Sequence, residues 1–111
     1  MSDRLDRLAR DYAPALLAFL GQPGEPRLRS AYELGRLALA DGVSLLDVVR
    51  VHHAVLSDVL TSSTRDEDVA AVVAGAATFL VEVLASFEMA QGAFQEAVAN
   101  ERRAGTVGED G

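Results

Sequence analysis

The sequence predicts an all-α fold, a four-helix bundle with an extended C-terminal helix that forms a dimer, and three observations predict it. Apolar residues recur at steps of three and four through four segments, the spacing that gathers them on one face of a helix. Breaks bearing Gly, Pro or Ser/Thr separate those segments, and such residues punctuate helices. Hydrophobic residues make up 50% of the 111-residue chain and are mostly Ala, Leu and Val, which suits helix packing in one domain.

The first helix runs from about Asp3 to Leu20, with Leu5, Leu8, Tyr12, Leu16 and Phe19 on one face. Pro14 removes a backbone hydrogen bond inside it and clashes with the preceding turn, so a kink or a break is expected near Tyr12. Gly21-Gln22-Pro23-Gly24-Glu25-Pro26 ends that helix. The second helix runs from Pro26, well placed in a first turn, to Ala40, and Leu28, Ala31, Gly35, Ala38 and Leu39 form its stripe. Gly35 on this stripe is either a site of close backbone approach or a plain cost of roughly 1 kcal/mol relative to Ala.

Asp41-Gly42 closes the second helix, with Gly42 as a left-handed cap. Ser44 caps the third, Asp47 completes a capping-box pattern, and the helix runs to about Leu60. Leu45, Val49, His52, Leu56 and Val59 share a face, with Leu46, His53 and Leu60 beside it. After Thr61-Ser62-Ser63, Thr64 and Glu67 form a second capping box, and Asp66, Glu67 and Asp68 suit the positive end of the helix dipole. The fourth pattern then keeps helical spacing from Val69 to Ala97 and ends at Arg102 and Arg103. The helical domain is thus expected over residues 1–103, with 104–111 a disordered acidic tail.

Length makes the fourth helix unusual. It would be a rod of roughly 55 Å against about 25 Å for each middle helix. Short helices cannot cover all of it, so Phe87, Phe94 and Val98 stay exposed unless Gly92 hosts a bend or a second chain covers them. A homodimer joined through these three residues is the economical expectation.

Charge and composition exclude several functions. A net charge of -7 argues against nucleic acid and against an anionic membrane surface. It either favours a partner with a basic docking face or simply keeps a small domain soluble. The absence of cysteine excludes disulfides, thiolate metal sites and cysteine nucleophiles. The charged Met1-Ser2-Asp3-Arg4 start has no signal-peptide core, and no apolar run is expected to approach the roughly 18 residues that span a bilayer. A cytoplasmic location is the expectation.

No P-loop, dinucleotide glycine pattern or HExxH is present, and no cofactor or metal is expected. His52 and His53 are adjacent, point about 100° apart on a helix and so do not share a metal. A phosphotransfer role for one of them would call for a basic neighbour, and the nearby charges are Asp47, Asp58 and Arg50. The plainer reading makes His52 a core or boundary residue. Glu82 and Glu88, six apart, lie too far around the helix for a catalytic pair. The chain is therefore expected not to be an enzyme.

Two blocks carry a family resemblance. One is Ala31-Tyr32-Glu33-Leu34-Gly35-Arg36, leading through Gly42-Val43-Ser44-Leu45-Leu46-Asp47-Val48-Val49 to the third-helix segment VHHAVL. The other is FLVEVLASFEMAQGAFQEAVA, from Phe79 to Ala99. In order and spacing they resemble the N-terminal kinase-recruitment domain of RsbU-type serine phosphatases, over about residues 10 to 103.

The resemblance implies a dimeric four-helix bundle that recruits a kinase-fold switch or anti-sigma protein in partner-switching control of an alternative sigma factor. In that family, binding activates a phosphatase domain attached after the last helix. No phosphatase domain lies within these 111 residues, which implies either a regulatory domain cut from a longer chain or a stand-alone protein. The family's recruiting groove lies between the second and fourth helices. Carried over by position, its candidates are Arg29, Tyr32, Glu33 and Arg36 with Val81, Glu82 and Met89. Val81 also stands off the stripe of Phe79, Val83 and Phe87, as an exposed apolar residue would. The alternatives are a histidine phosphotransfer bundle and a plain helical dimerisation or sensor domain.

Overall fold

The first helix, α1, covers Asp3–Gly21 and buries Leu8, Tyr12, Leu16 and Phe19. It belongs to a computed structural model that describes residues 3–62 and 66–110, with side chains described for 3–62 and 68–104. No break occurs at Pro14, which corrects one of the two expectations there. The carbonyl that loses its partner is that of Arg10, and both Arg10 and Pro14 are exposed, so water can satisfy it. Fully buried Tyr12 and Leu16 anchor the helix on either side of the proline.

Helix α2 covers Glu25–Ala40, with Pro26 in its first turn, and buries Ala31, Leu34, Gly35 and Ala38. Its end is a Schellman motif. The Gly42 N–H donates to the Leu39 carbonyl at 3.0 Å and the Val43 N–H to the Ala38 carbonyl at 2.9 Å. Gly42 holds φ at 77°, the left-handed turn the motif requires, and Val43 is buried beyond it.

Helix α3 covers Leu45–Ser62, and the Ser44 hydroxyl oxygen accepts the Asp47 N–H at 3.1 Å. Its buried residues are Val48, Val51, His52 and Val55. Of the expected face, His52 is buried and Leu56 and Val59 pack partly buried against the core, while Leu45 and Val49 are exposed. This helix is apolar on more than one side, so periodicity alone allows two orientations. Packing selects the compact valines and leaves Leu46 and Val49 exposed. Thr64, of the second expected capping box, lies outside the described residues, as does the side chain of Glu67.

Helix α4 covers Asp66–Asp110, 45 residues in one element. It continues past Arg103, so the segment expected to be a disordered tail is helical as far as Asp110. A straight helix of this length spans about 67 Å, and the molecule's longest extent is 69 Å, so α4 is close to straight through Gly92. Between Asp68 and Ala104 it is long and apolar enough to cross a bilayer by length and composition. That corrects the expectation that no run approaches such a length: Glu82 and Glu88 interrupt the segment without making it polar. The core helix of a bundle passes the same test, and here Ala76, Phe79, Val83 and Phe87 are buried in the chain's own core.

Helices α1 and α4 each pack against both α2 and α3, and α1 also meets α4 across the bundle. Phe79 sits at the centre, its ring centroid 5.4 Å from that of Tyr12 and 5.8 Å from that of Phe19. Gly35 settles its two readings in favour of close approach. A Cβ there would collide with the Ser86 side chain and the Val83 carbonyl oxygen, and would lie 3.0 Å from the Phe87 backbone nitrogen. Ser86 fits the notch because its hydroxyl donates back to the Val83 carbonyl at 3.0 Å. This contact fixes α2 on α4 and sets the groove beside them.

Candidate partner-binding groove

Where α2 approaches α4 through Gly35, the helices leave an open groove of about 810 Å³ next to the start of α2. Glu25, Pro26, Leu28, Arg29, Tyr32 and Glu33 line it from α2, and Glu82 faces them from α4. The structure thus brings Arg29, Tyr32, Glu33 and Glu82 together, four of the seven candidates. Arg36 lies one turn beyond, its guanidinium carbon 5.9 Å from the Tyr32 ring centroid, and braces that ring. Val81 and Met89 are 65% and 63% exposed and stand outside the groove lining. Met89 follows Glu82 by seven residues and so falls on the same edge of α4, two turns on. Val81 is turned about 100° from Glu82.

Reading the sequence missed Glu25, Pro26 and Leu28 as lining residues. Their signal was the proline at the helix start, which fixes where the α2 wall begins. A second missed feature lies on α4. No charged residue stands between Asp68 and Glu82, yet Ala70, Val73, Ala74, Ala77 and Val81 are exposed there. Exposed helix faces ordinarily carry charges, so this uncharged face has interface character.

The dimer candidates divide. Phe94 is 66% exposed and Val98 is half-buried, both on the part of α4 that projects beyond the bundle. Phe87 was placed with them by its position in the sequence, and the structure corrects that: it is 3% exposed and part of the core. The short helices cover α4 as far as Phe87, and none covers Phe94.

The histidines are now distinguishable. His52 is 5% exposed, and its Nδ1 lies 2.6 Å from the Tyr12 hydroxyl in the core. Burial raises the Tyr12 hydroxyl's pKa well above its usual range. Burial, with a lesser contribution from the neighbouring His53 charge, lowers that of His52. Both groups are therefore neutral at neutral pH: Tyr12 O–H donates, Nδ1 accepts, and the ring proton sits on Nε2. His52 is a core residue of the kind the plainer reading describes, unsuited to accept a phosphoryl group from solvent. His53 is exposed. Among the described residues no group of three His, Cys, Asp or Glu side chains could hold a metal.

Compared with known families, residues 10–90 match the family described as the N-terminal domain of the phosphoserine phosphatase RsbU. No curated protein and no solved structure gives a significant match.

Proposed function

We propose that this chain, which belongs to the family of the N-terminal domain of the phosphoserine phosphatase RsbU, recruits a kinase-fold switch protein through the α2/α4 groove. The family is that of the phosphatase's regulatory domain and not of its catalytic domain, so the activity sought is binding. In the proposed role the recruited protein belongs to a partner-switching circuit that controls an alternative sigma factor.

The observation that carries the reading is the convergence of Arg29, Tyr32, Glu33 and Glu82 on one groove, with exposed Met89 on the same edge of α4 and exposed Val81 on its outer face. A half-buried aromatic ring braced by an arginine, next to exposed apolar side chains and unlike charges, has the composition of a protein-binding hot spot. The reading includes a homodimer, joined through the projecting end of α4 at Phe94 and Val98, which would place two grooves on one particle.

Calorimetric titration with kinase-fold switch proteins tests this. Saturable binding is expected, and Val81→Asp weakens it at least about tenfold, a loss of about 1.4 kcal/mol, while circular dichroism stays that of the wild type. A protein that is folded and dimeric yet binds none of them would refute the recruitment reading.

A further inference from the structure

We propose that the α2/α4 groove selects its partner by charge, accepting a segment that inserts a lysine or arginine side chain between Glu82 on α4 and Glu33 on α2. This rests on the recruitment reading and specifies the chemistry of what is recruited. Three carboxylates and one guanidinium line the groove, an excess of negative charge within a concave surface. Concavity concentrates that field where a side chain would enter.

The charges are also unspent. Glu25 and Arg29 are four apart on α2, as are Arg29 and Glu33, the spacing at which helical ion pairs form. Among the described residues the ion pairs are instead Arg7 with Asp41 and Arg50 with Asp47. The groove's carboxylates are therefore free to meet an incoming cation, and Glu82, supplied by the opposite helix, closes the site from the other side.

The lining fits the rest of such a side chain. Pro26 and Leu28 offer apolar surface to a methylene stem while its charged head reaches the carboxylates. Tyr32 also lines the groove, and its hydroxyl can accept from an ammonium or guanidinium donor. Arg29 adds selectivity of the opposite sign, disfavouring a second cation beside the first. A partner segment carrying a carboxylate or phosphate at the central position would face Glu33 and Glu82 and be rejected.

The test uses the full chain and a kinase-fold switch protein that binds the wild type, titrated at rising ionic strength. Glu33→Gln with Glu82→Gln is expected to weaken binding at least about tenfold. The same pair should flatten the fall in affinity between about 50 and about 500 mM salt. Glu82→Lys abolishes binding, and exchanging the partner's inserted basic residue for Glu restores it. Circular dichroism confirms that each variant folds, as expected for half-buried or exposed positions. If the Gln pair binds like the wild type with the same salt dependence, the charge selection is wrong. If Val81→Asp weakens binding in that same experiment, recruitment through this surface still stands. If no switch protein binds the wild type, both fall.

Discussion

His52 shows how a single residue reads differently once its neighbours are known. In the sequence it is one of two adjacent histidines beside Asp47 and Asp58; in the fold it is the acceptor for a buried tyrosine hydroxyl. Tyr12→Phe leaves Nδ1 unsatisfied in a dry core and should cost about 1–3 kcal/mol in urea unfolding. The pair also imposes a pH dependence with a definite sign. The pKa of His52 is lowered in the folded state, so the unfolded chain takes up the proton first as pH falls through the ordinary value of 6.5. The stability contributed by the neutral ring is fully present above that value and is lost below it. A urea midpoint lower at about pH 5.5 than at about pH 7.5 is expected, and His52→Gln should remove most of the difference. An equal slope in that variant would assign the effect elsewhere.

Gly35 belongs to the same scale. Its position on the stripe was legible, but close approach and plain cost could not be separated without knowing what faces it. Gly35→Ala should destabilise by about 1–3 kcal/mol or more. Ser86→Ala should not rescue it, because the Val83 carbonyl still blocks the new methyl group.

At the scale of elements, the boundaries written in local chemistry were legible and those set by packing were not. The Gly42 cap and the Ser44 cap appear where turn residues place them, since both depend on the few residues around them. The face that α3 buries depends on α1 and α4, and the sequence of α3 alone is consistent with either orientation. The same holds for Phe87: spacing puts it on the apolar stripe of α4, while only the reach of the other helices separates it from Phe94. Phe87→Ala should therefore cost about 3–5 kcal/mol of monomer stability. Phe94→Ala should leave unfolding unchanged and reduce self-association in sedimentation equilibrium. Hydrogen exchange offers a second view of the projecting end. Beyond Ala90 no described side chain is buried, so amides from Phe94 to Ala104 should exchange quickly in dilute solution. They should gain protection as the chain self-associates.

On the scale of the molecule, the four-helix class and the overlong last helix were legible because they rest on periodicity and length. Four of the seven groove-lining residues were too: a positional resemblance supplied Arg29, Tyr32, Glu33 and Glu82, which the fold then gathers. The uncharged face of α4 was present as a run without charges from Val69 to Val81, yet its exposure follows only from which stripe the bundle covers. Three of the acidic residues behind the net charge of -7 line the groove, together with Arg29.

Recruitment through that groove is most directly tested by mapping it. An isotopically labelled chain titrated with a kinase-fold switch protein should show backbone amide shifts clustered at Arg29, Tyr32, Glu33, Arg36, Val81, Glu82 and Met89. The exposed side of α3 at Leu46 and Val49 should stay still. Shifts confined to α3, or none at a partner concentration that saturates other binders, would contradict the account.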